Sequence, residues 1–452
     1  MHEETGLAKI ILNGRNNTVT PKIFQSTNTS RKNQCFYRKK IIFGENYSTF
    51  TMKKNSFFLI FLIAFLISCQ TDTHRDEVEK LIEQVKTSFV KDGRTKLYKV
   101  VAHEKNGKIA IVGETNLPDA KNQLINLLKD AHIDFIDSLQ VLPSADLGGK
   151  IYGVVRISVC NIRSQPKHSA ELATQALMGT QLRVLKEENG WFLVQTPDDY
   201  LGWLDKGGFT LMTETELANW RKAEKIIILD EFARVVAFPT DFIADSTTVI
   251  SDLVYGNILI DKGLQQNNQK IRAIELPDGR QGYLLDKATK NYKNWLENTT
   301  PTEENIIATA RRFIGNPYLW GGTSTKGFDC SGFTKTVYFG HGIQLERDAS
   351  LQVHTGMEVE TDTLTWKNLQ PGDLLFFGRK ATPEKKERIT HVAIWMGNGQ
   401  IIHATELVKI ESLMRNMPDF AEDRVATFIR AKRIIGSSGQ NGIVSLSQSE
   451  WY

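Results

Sequence analysis

Cysteine is scarce in this chain of 452 residues: it occurs only at positions 35, 69, 160 and 330. So few exclude a disulfide-stapled scaffold, and no Cys/His group has the spacing of a zinc site. No metal or other cofactor is implied. Long apolar runs are missing too. The most apolar stretch, Phe57 to Ile67, is too short to span a bilayer comfortably. Strong charge of one sign is also absent from the body of the chain. Residues 1–51 hold eight Lys/Arg against three Asp/Glu, and Lys53 and Lys54 add two more, so the rest is slightly acidic despite the overall +4. A body with no basic stripe argues against nucleic acid as a partner. The apolar and charged fractions, 41% and 24%, are those of a soluble protein with room for about three compact domains.

Met52-Lys53-Lys54 is a short positive start to the apolar run, which ends in Leu66-Ile67-Ser68-Cys69. Residues 52–68 resemble a bacterial lipoprotein signal. The resemblance implies cleavage before Cys69, lipidation of its thiol and a place in the cell envelope, on the periplasmic side or at the outer membrane. An uncleaved anchor is the alternative. Such a signal belongs at a chain start, so Met52 is expected to be the true start. Residues 1–51, polar and aperiodic, then read as an over-extended gene start without order. Cys160 lies in a β-like run and is expected to be a small buried residue. That leaves Cys330 as the candidate reactive thiol.

Four regions follow. Residues 71–149 read as a small α+β domain: a helix from Asp76, a hairpin about Asn106-Gly107, a helix from Ala120 and a strand from Ile133. They show no chemistry, and a spacer role is the favoured reading. Residues 154–211 are a run of short strands with Asn161-Ile162-Arg163-Ser164, Gly190-Trp191 and Gly202-Trp203. This wording resembles bacterial SH3-like (SH3b) domains, and residues 226–286 echo it weakly, so two small β-barrels are expected, joined by a helical connector over Glu214–Lys225. Residues 302–435 begin with Thr300-Pro301-Thr302-Glu303, expected to cap a helix at Thr300. A second helix from Ser331 and later strands make this region α+β. The Ser/Gly-rich tail, 437–452, is expected to be loose.

Cys330 sits at the expected start of that second helix, where the dipole and free N–H groups favour thiolate. His391, Ala393 and Trp395 alternate along one strand, and the next strand starts at Gln400. A three-residue loop pairs Met396 with Gln400, which puts His403 on the face of His391, one diagonal step away. A one-residue slip would send it to the other face. His391 is then the candidate base and ion-pair partner of Cys330, with His403 orienting it.

Pro317-Tyr318-Leu319-Trp320-Gly321-Gly322, Phe328-Asp329-Cys330-Ser331-Gly332, Pro371-Gly372-Asp373, Thr390-His391-Val392 and Ile402-His403-Ala404 occur in one order. Together they resemble the NlpC/P60 family of papain-like cell-wall peptidases. The resemblance implies Cys330 as nucleophile, His391 as base, His403 as third member and Tyr318 at the oxyanion site. It implies hydrolysis of the bond between γ-D-glutamate and a diamino acid in peptidoglycan stem peptides. SH3b units ahead of such a domain resemble the muropeptide-recycling subset, which requires a free L-Ala amine. Asp329, Ser331 and Ser350 match positions implied to hold that end of the substrate, with Asp329 on the ammonium. Glu171 and Tyr200 are candidates for further amine contacts, and Trp320 for packing more than substrate stacking. The chain is expected to act as a monomer. The alternatives are a peptidase on intact wall, a non-catalytic envelope lipoprotein and an acyltransferase on the same fold.

Overall fold

The computed structural model describes residues 75–105, 108–242, 248–265 and 268–452. The lipoprotein-like segment, Cys69, residues 1–51 and the turn at Asn106-Gly107 lie outside the described residues. No helix among the described residues is long and apolar enough to cross a membrane.

The first domain is a helix over residues 75–89, an antiparallel pair Tyr98–Lys105 and Lys108–Thr115, a helix Pro118–Asp130 and a strand Phe135–Val141. The last strand joins Lys108–Thr115 in parallel, and the intervening helix supplies the crossover that parallel pairing needs. Val78, Ile82 and Val85 recur at helical spacing and close the core against Leu124 and Leu128.

Each β-rich domain is a seven-stranded antiparallel sheet. In the first the order runs Phe209–Met212, Tyr152–Val155, Gln181–Glu188, Trp191–Gln195, Leu201–Asp205, Val159–Arg163 and Leu172–Leu177. The expected barrels are not closed. No ladder joins the two edge strands among the described residues, although one core of Val155, Ile162, Val184 and Leu204 sits under the whole sheet. The edge strand Leu172–Leu177 is covered instead: Gln175 accepts from the backbone N–H of Thr323 (3.0 Å) and from both Thr323 and Ser324 hydroxyls (3.1 Å). The second sheet extends past the expected Asp286 to a strand Thr289–Asn291. The connector between the sheets is a helix Glu214–Lys222 with a Thr213/Glu216 capping box.

In the C-terminal domain the helix Glu303–Arg312 is capped by Thr302, whose side chain accepts from Asn305 N, not by Thr300. Pro301 therefore precedes the cap, and Glu303 and Glu304 fill the first turn. The helix Cys330–Phe339 packs on an antiparallel sheet ordered Met357–Val359, Phe428–Arg433, Leu374–Arg379, Arg388–Gly397, Gln400–Ala404 and Val408–Ser412. Val392, Ile394 and Ile402 meet Phe333 and Val337 on one face, while Ala393, Trp395 and Ile401 fill a second cluster on the other.

The tail is docked rather than loose. Val444–Ser445 pairs with Ile343–Gln344, Leu446 and Trp451 are buried, and Gln181 donates to the Trp451 carbonyl (2.7 Å). Its few apolar residues bury enough surface to offset the cost of ordering the polar ones between them.

Candidate active site

Cys330 is the first residue of its helix, and Asp329 is the cap, accepting from Gly332 N at 2.7 Å. Glycines make this corner possible. A Cβ on Gly321, which has φ +79°, would lie 2.3 Å from the Leu172 carbonyl oxygen, and one on Gly332 would lie 2.0 Å from that of Gly322. The first β sheet is thus pressed against the cysteine corner.

Burial, then the charge of Asp329, push Cys330 up to about 12. The backbone N–H groups of Val392 and Ser331 pull the other way and do not win. Desolvation of the sulfur anion thus opposes the pull of the helix terminus. The Val392 contact also fixes the sulfur beside the strand that carries His391.

The two histidine strands pair Ile394 with Ile402 and Trp395 with Ile401, the register expected for placing His403 near His391. The turn differs: Gly397 pairs with Gln400, and Met396 is the bulged residue. Nε2 of His391 lies 2.9 Å from Nδ1 of His403, and both rings are buried. Burial holds His391 well below the ordinary histidine value, with the charges of His403 and Arg424 adding to it. Burial lowers His403 as well, opposed by Glu411. Nε2 of His403 is 2.9 Å from Glu411 Oε2, within ion-pair range but off the angle of a well-formed hydrogen bond. Contact with His403, then with Lys409, holds the Glu411 carboxyl down to about 2.

A cleft of about 1020 Å³ opens at Cys330, lined by Tyr318 and Trp320 from the C-terminal domain and by Glu171 and Tyr200 from the first β sheet. Burial, then Cys330 and Asp329, push the Tyr318 hydroxyl up to about 12, so it remains a donor at neutral pH. Trp320 is 63% exposed, contrary to a packing role, and its indole N–H is held by Glu171 Oε1 at 2.8 Å. Tyr200 donates to Asp348 Oδ2 at 3.0 Å. Ser350 lines the same cleft, as do Lys386, Glu387, Arg388, Ile389 and Thr390.

Asp329, the expected ammonium partner, lines the cleft and is also bonded within the protein. Its Oδ1 accepts from Gly332 N, Ser331 Oγ and Arg347 Nη1, and its Oδ2 from Gly321 N (3.0 Å) and Arg347 Nη2 (2.5 Å). That is a full complement for a carboxylate. Ser331 is tied into the same network by Arg347 Nη1 at 3.2 Å. Arg347 is wholly buried, and its Nε donates to Thr174 of the first β sheet at 2.9 Å.

Sequence reasoning missed Arg347, Glu411 and Arg94. Glu411 could have been found: His403 pairs with Lys409, so the register argument carried one strand further puts Glu411 diagonally across. Nothing in Glu346-Arg347-Asp348 or Gly93-Arg94-Thr95 marks the two arginines.

Comparison with known proteins identifies the two recognisable domains. Residues 315–425 match the model of the NlpC/P60 family, and residues 162–208 match that of the bacterial dipeptidyl-peptidase Sh3 domain. A gamma-D-glutamyl-L-lysine dipeptidyl-peptidase of Bacillus cereus is 30% identical over 264 residues, 56% of this chain and 73% of that one. Dipeptidyl-peptidase 6 of Lysinibacillus sphaericus is 29% identical over 287 residues, 61% of this chain and 96% of that one. The crystal structure of an NlpC/P60 family protein from Bacillus cereus superposes with a TM-score of 0.52 at 25% identity, covering 62% of this chain and 99% of that one. With a matching family model, a relative aligned over most of its length and a shared fold, this chain belongs to the NlpC/P60 family of cysteine-type peptidases.

Proposed function

We propose that the chain hydrolyses the γ-D-glutamyl–diamino acid bond of released muropeptides that begin with a free L-Ala amine. The observation that carries this reading is the lining of the cleft. Cys330 shares it with Glu171, Tyr200, Asp348 and Ser350, acidic and hydroxyl groups that suit the terminal amine of a substrate. The name of the Bacillus cereus relative, a gamma-D-glutamyl-L-lysine dipeptidyl-peptidase, supports the same bond class.

The chemistry follows from the resting protonation. A thiol held high and an imidazole held low are both neutral, so His391 takes the proton as the sulfur attacks. For Nδ1 of His391 to accept, its Nε2 must carry hydrogen and donate to Nδ1 of His403. That leaves the His403 proton on Nε2, facing the Glu411 carboxylate. The Cys330 sulfur bonds to the γ-carbonyl carbon, and the Tyr318 hydroxyl donates to the developing oxyanion. His391 returns the proton to the departing amine, leaving a thioester, which water cleaves with His391 again as base. At the amine end, Glu171 and Tyr200 face the cleft with Ser350, and Trp320 presents its ring. Asp348 keeps one oxygen without a hydrogen bond among the described residues.

Lipidation at Cys69, a cell-envelope location and a monomeric state complete the proposal. The support for the first two is the run from Met52 to Cys69. Mass spectrometry of digests of L-Ala-γ-D-Glu-L-Lys and its diaminopimelate counterpart tests the bond. Release of L-Ala-D-Glu from at least one is expected; cleavage elsewhere, or none, overturns the assignment.

A further inference from the structure

The domain at residues 75–149 carries no chemistry in its own core, yet one of its loops ends in the cleft. Between the helix 75–89 and the strand Tyr98–Lys105, the chain passes through Asp92-Gly93-Arg94. Its main chain is laid on the first β sheet: Leu201 N donates to the Arg94 carbonyl (2.8 Å) and Gln195 Nε2 to that of Thr95 (3.0 Å). The Arg94 side chain then crosses to the C-terminal domain, where Nη1 meets Asp348 Oδ2 at 2.5 Å and Nη2 meets Ser350 Oγ at 3.1 Å. Asp92 holds the other edge of the guanidinium, at Nε (2.9 Å) and Nη2 (2.5 Å). Arg94 thus ties three domains together, its main chain on the first β sheet and its side chain on the C-terminal domain, where Gly93 and Arg94 line the cleft.

We propose that this loop is the end wall of the substrate cleft and that Arg94 is a specificity-determining positioning residue. It fixes Asp348 and Ser350 where the substrate begins. The inference rests on the reading of a free-amine substrate given above. A planar fork already aligned by Asp92 loses little freedom in holding Asp348, which a flexible ammonium could not do as well. Arg94 between Asp92 and Asp348 leaves one negative charge in excess, which suits a terminal ammonium and disfavours a carboxylate or an acylated amine. The wall is also backed: Leu97 and Leu142 pack with Leu185, Trp191, Leu193 and Trp203 of the first β sheet, and Lys186 pairs with Glu114 at 2.7 Å. The first domain is therefore seated firmly enough to hold a loop in register.

Steady-state kinetics of the full chain and its Arg94→Ala and Arg94→Lys variants, on L-Ala-γ-D-Glu-L-Lys and its N-acetyl form, test this. Losing charge-assisted contacts to Asp348 and Ser350 is expected to raise KM for the free tripeptide by roughly tenfold to a hundredfold. The kcat should change by less than about threefold, because Arg94 touches neither Cys330 nor the histidines. Discrimination against the acetylated form should fall, and lysine should restore only part of both effects. An unchanged KM and unchanged discrimination in Arg94→Ala, in a wild type that does discriminate, would overturn the inference alone. A wild type that cleaves both forms equally would overturn it together with the free-amine reading.

Discussion

The two ends of the cleft are built on opposite plans. The reacting end comes from one domain, with Cys330 on a helix and His391, His403 and Glu411 on three adjacent strands of one sheet. The closed end comes from three domains, with Arg94, Tyr200 and Asp348 converging from residues far apart in sequence. The first end is fixed by strand register, whereas the second exists only because the domains dock. Chemistry and substrate choice should therefore be separable by mutation.

The largest expected effect is at the reacting end. Cys330→Ala should lower hydrolysis by about four orders of magnitude or more while leaving the unfolding midpoint nearly unchanged. Hydrolysis persisting in this variant would remove the thiol from the mechanism. Asp329→Ala should do the reverse of a clean catalytic lesion. It strips the helix cap and leaves the wholly buried Arg347 without its counter-charge, a stability loss of roughly 3–5 kcal/mol by denaturant titration. A loss below about 1 kcal/mol would contradict the structural role of Asp329.

The pH profile sharpens the reacting end further. Because burial holds His391 below its ordinary value, the acid limb of kcat/KM should lie below pH 6.5: as pH falls through the lowered value, His391 gains a proton and can no longer accept one from the thiol. Burial of Cys330, pushed up to about 12, predicts no gain in rate through pH 8–9, where an exposed thiol would ionise. A limb centred at or above pH 6.5 would contradict the buried pair. Glu411→Gln should act more gently, lowering kcat by about tenfold through the loss of one charged contact.

The same contrast explains what was legible in the sequence. Alternation in Thr390-His391-Val392-Ala393 and the spacing to His403 carried enough register information to place two histidines together, even though the turn closes at Gly397 and Gln400 rather than at Met396. Helix and strand periodicity likewise gave the α+β pattern of the first and last domains. Barrel closure could not be read, because the edge strand Leu172–Leu177 is satisfied by Thr323 and Ser324 of another domain. The docked tail was hidden for a related reason: its few apolar residues fill a groove that exists only after the domains pack. The second role of Asp329 was hidden because a helix cap and an ammonium ligand ask for the same residue type, and nothing local announces its pairing with Arg347. Arg94 was invisible, since no local pattern announces a residue whose main chain and side chain act on two other domains.

The most direct measurement is the ratio of kcat/KM for L-Ala-γ-D-Glu-L-Lys to that for its N-acetyl form, with whole sacculi digested in parallel. A cleft that ends at the amine predicts a ratio of about a hundred or more, the worth of one lost charged contact plus an acyl group against the wall, and no release from sacculi. Equal cleavage of the two tripeptides, or release from sacculi, would show a cleft open at that end and contradict the account.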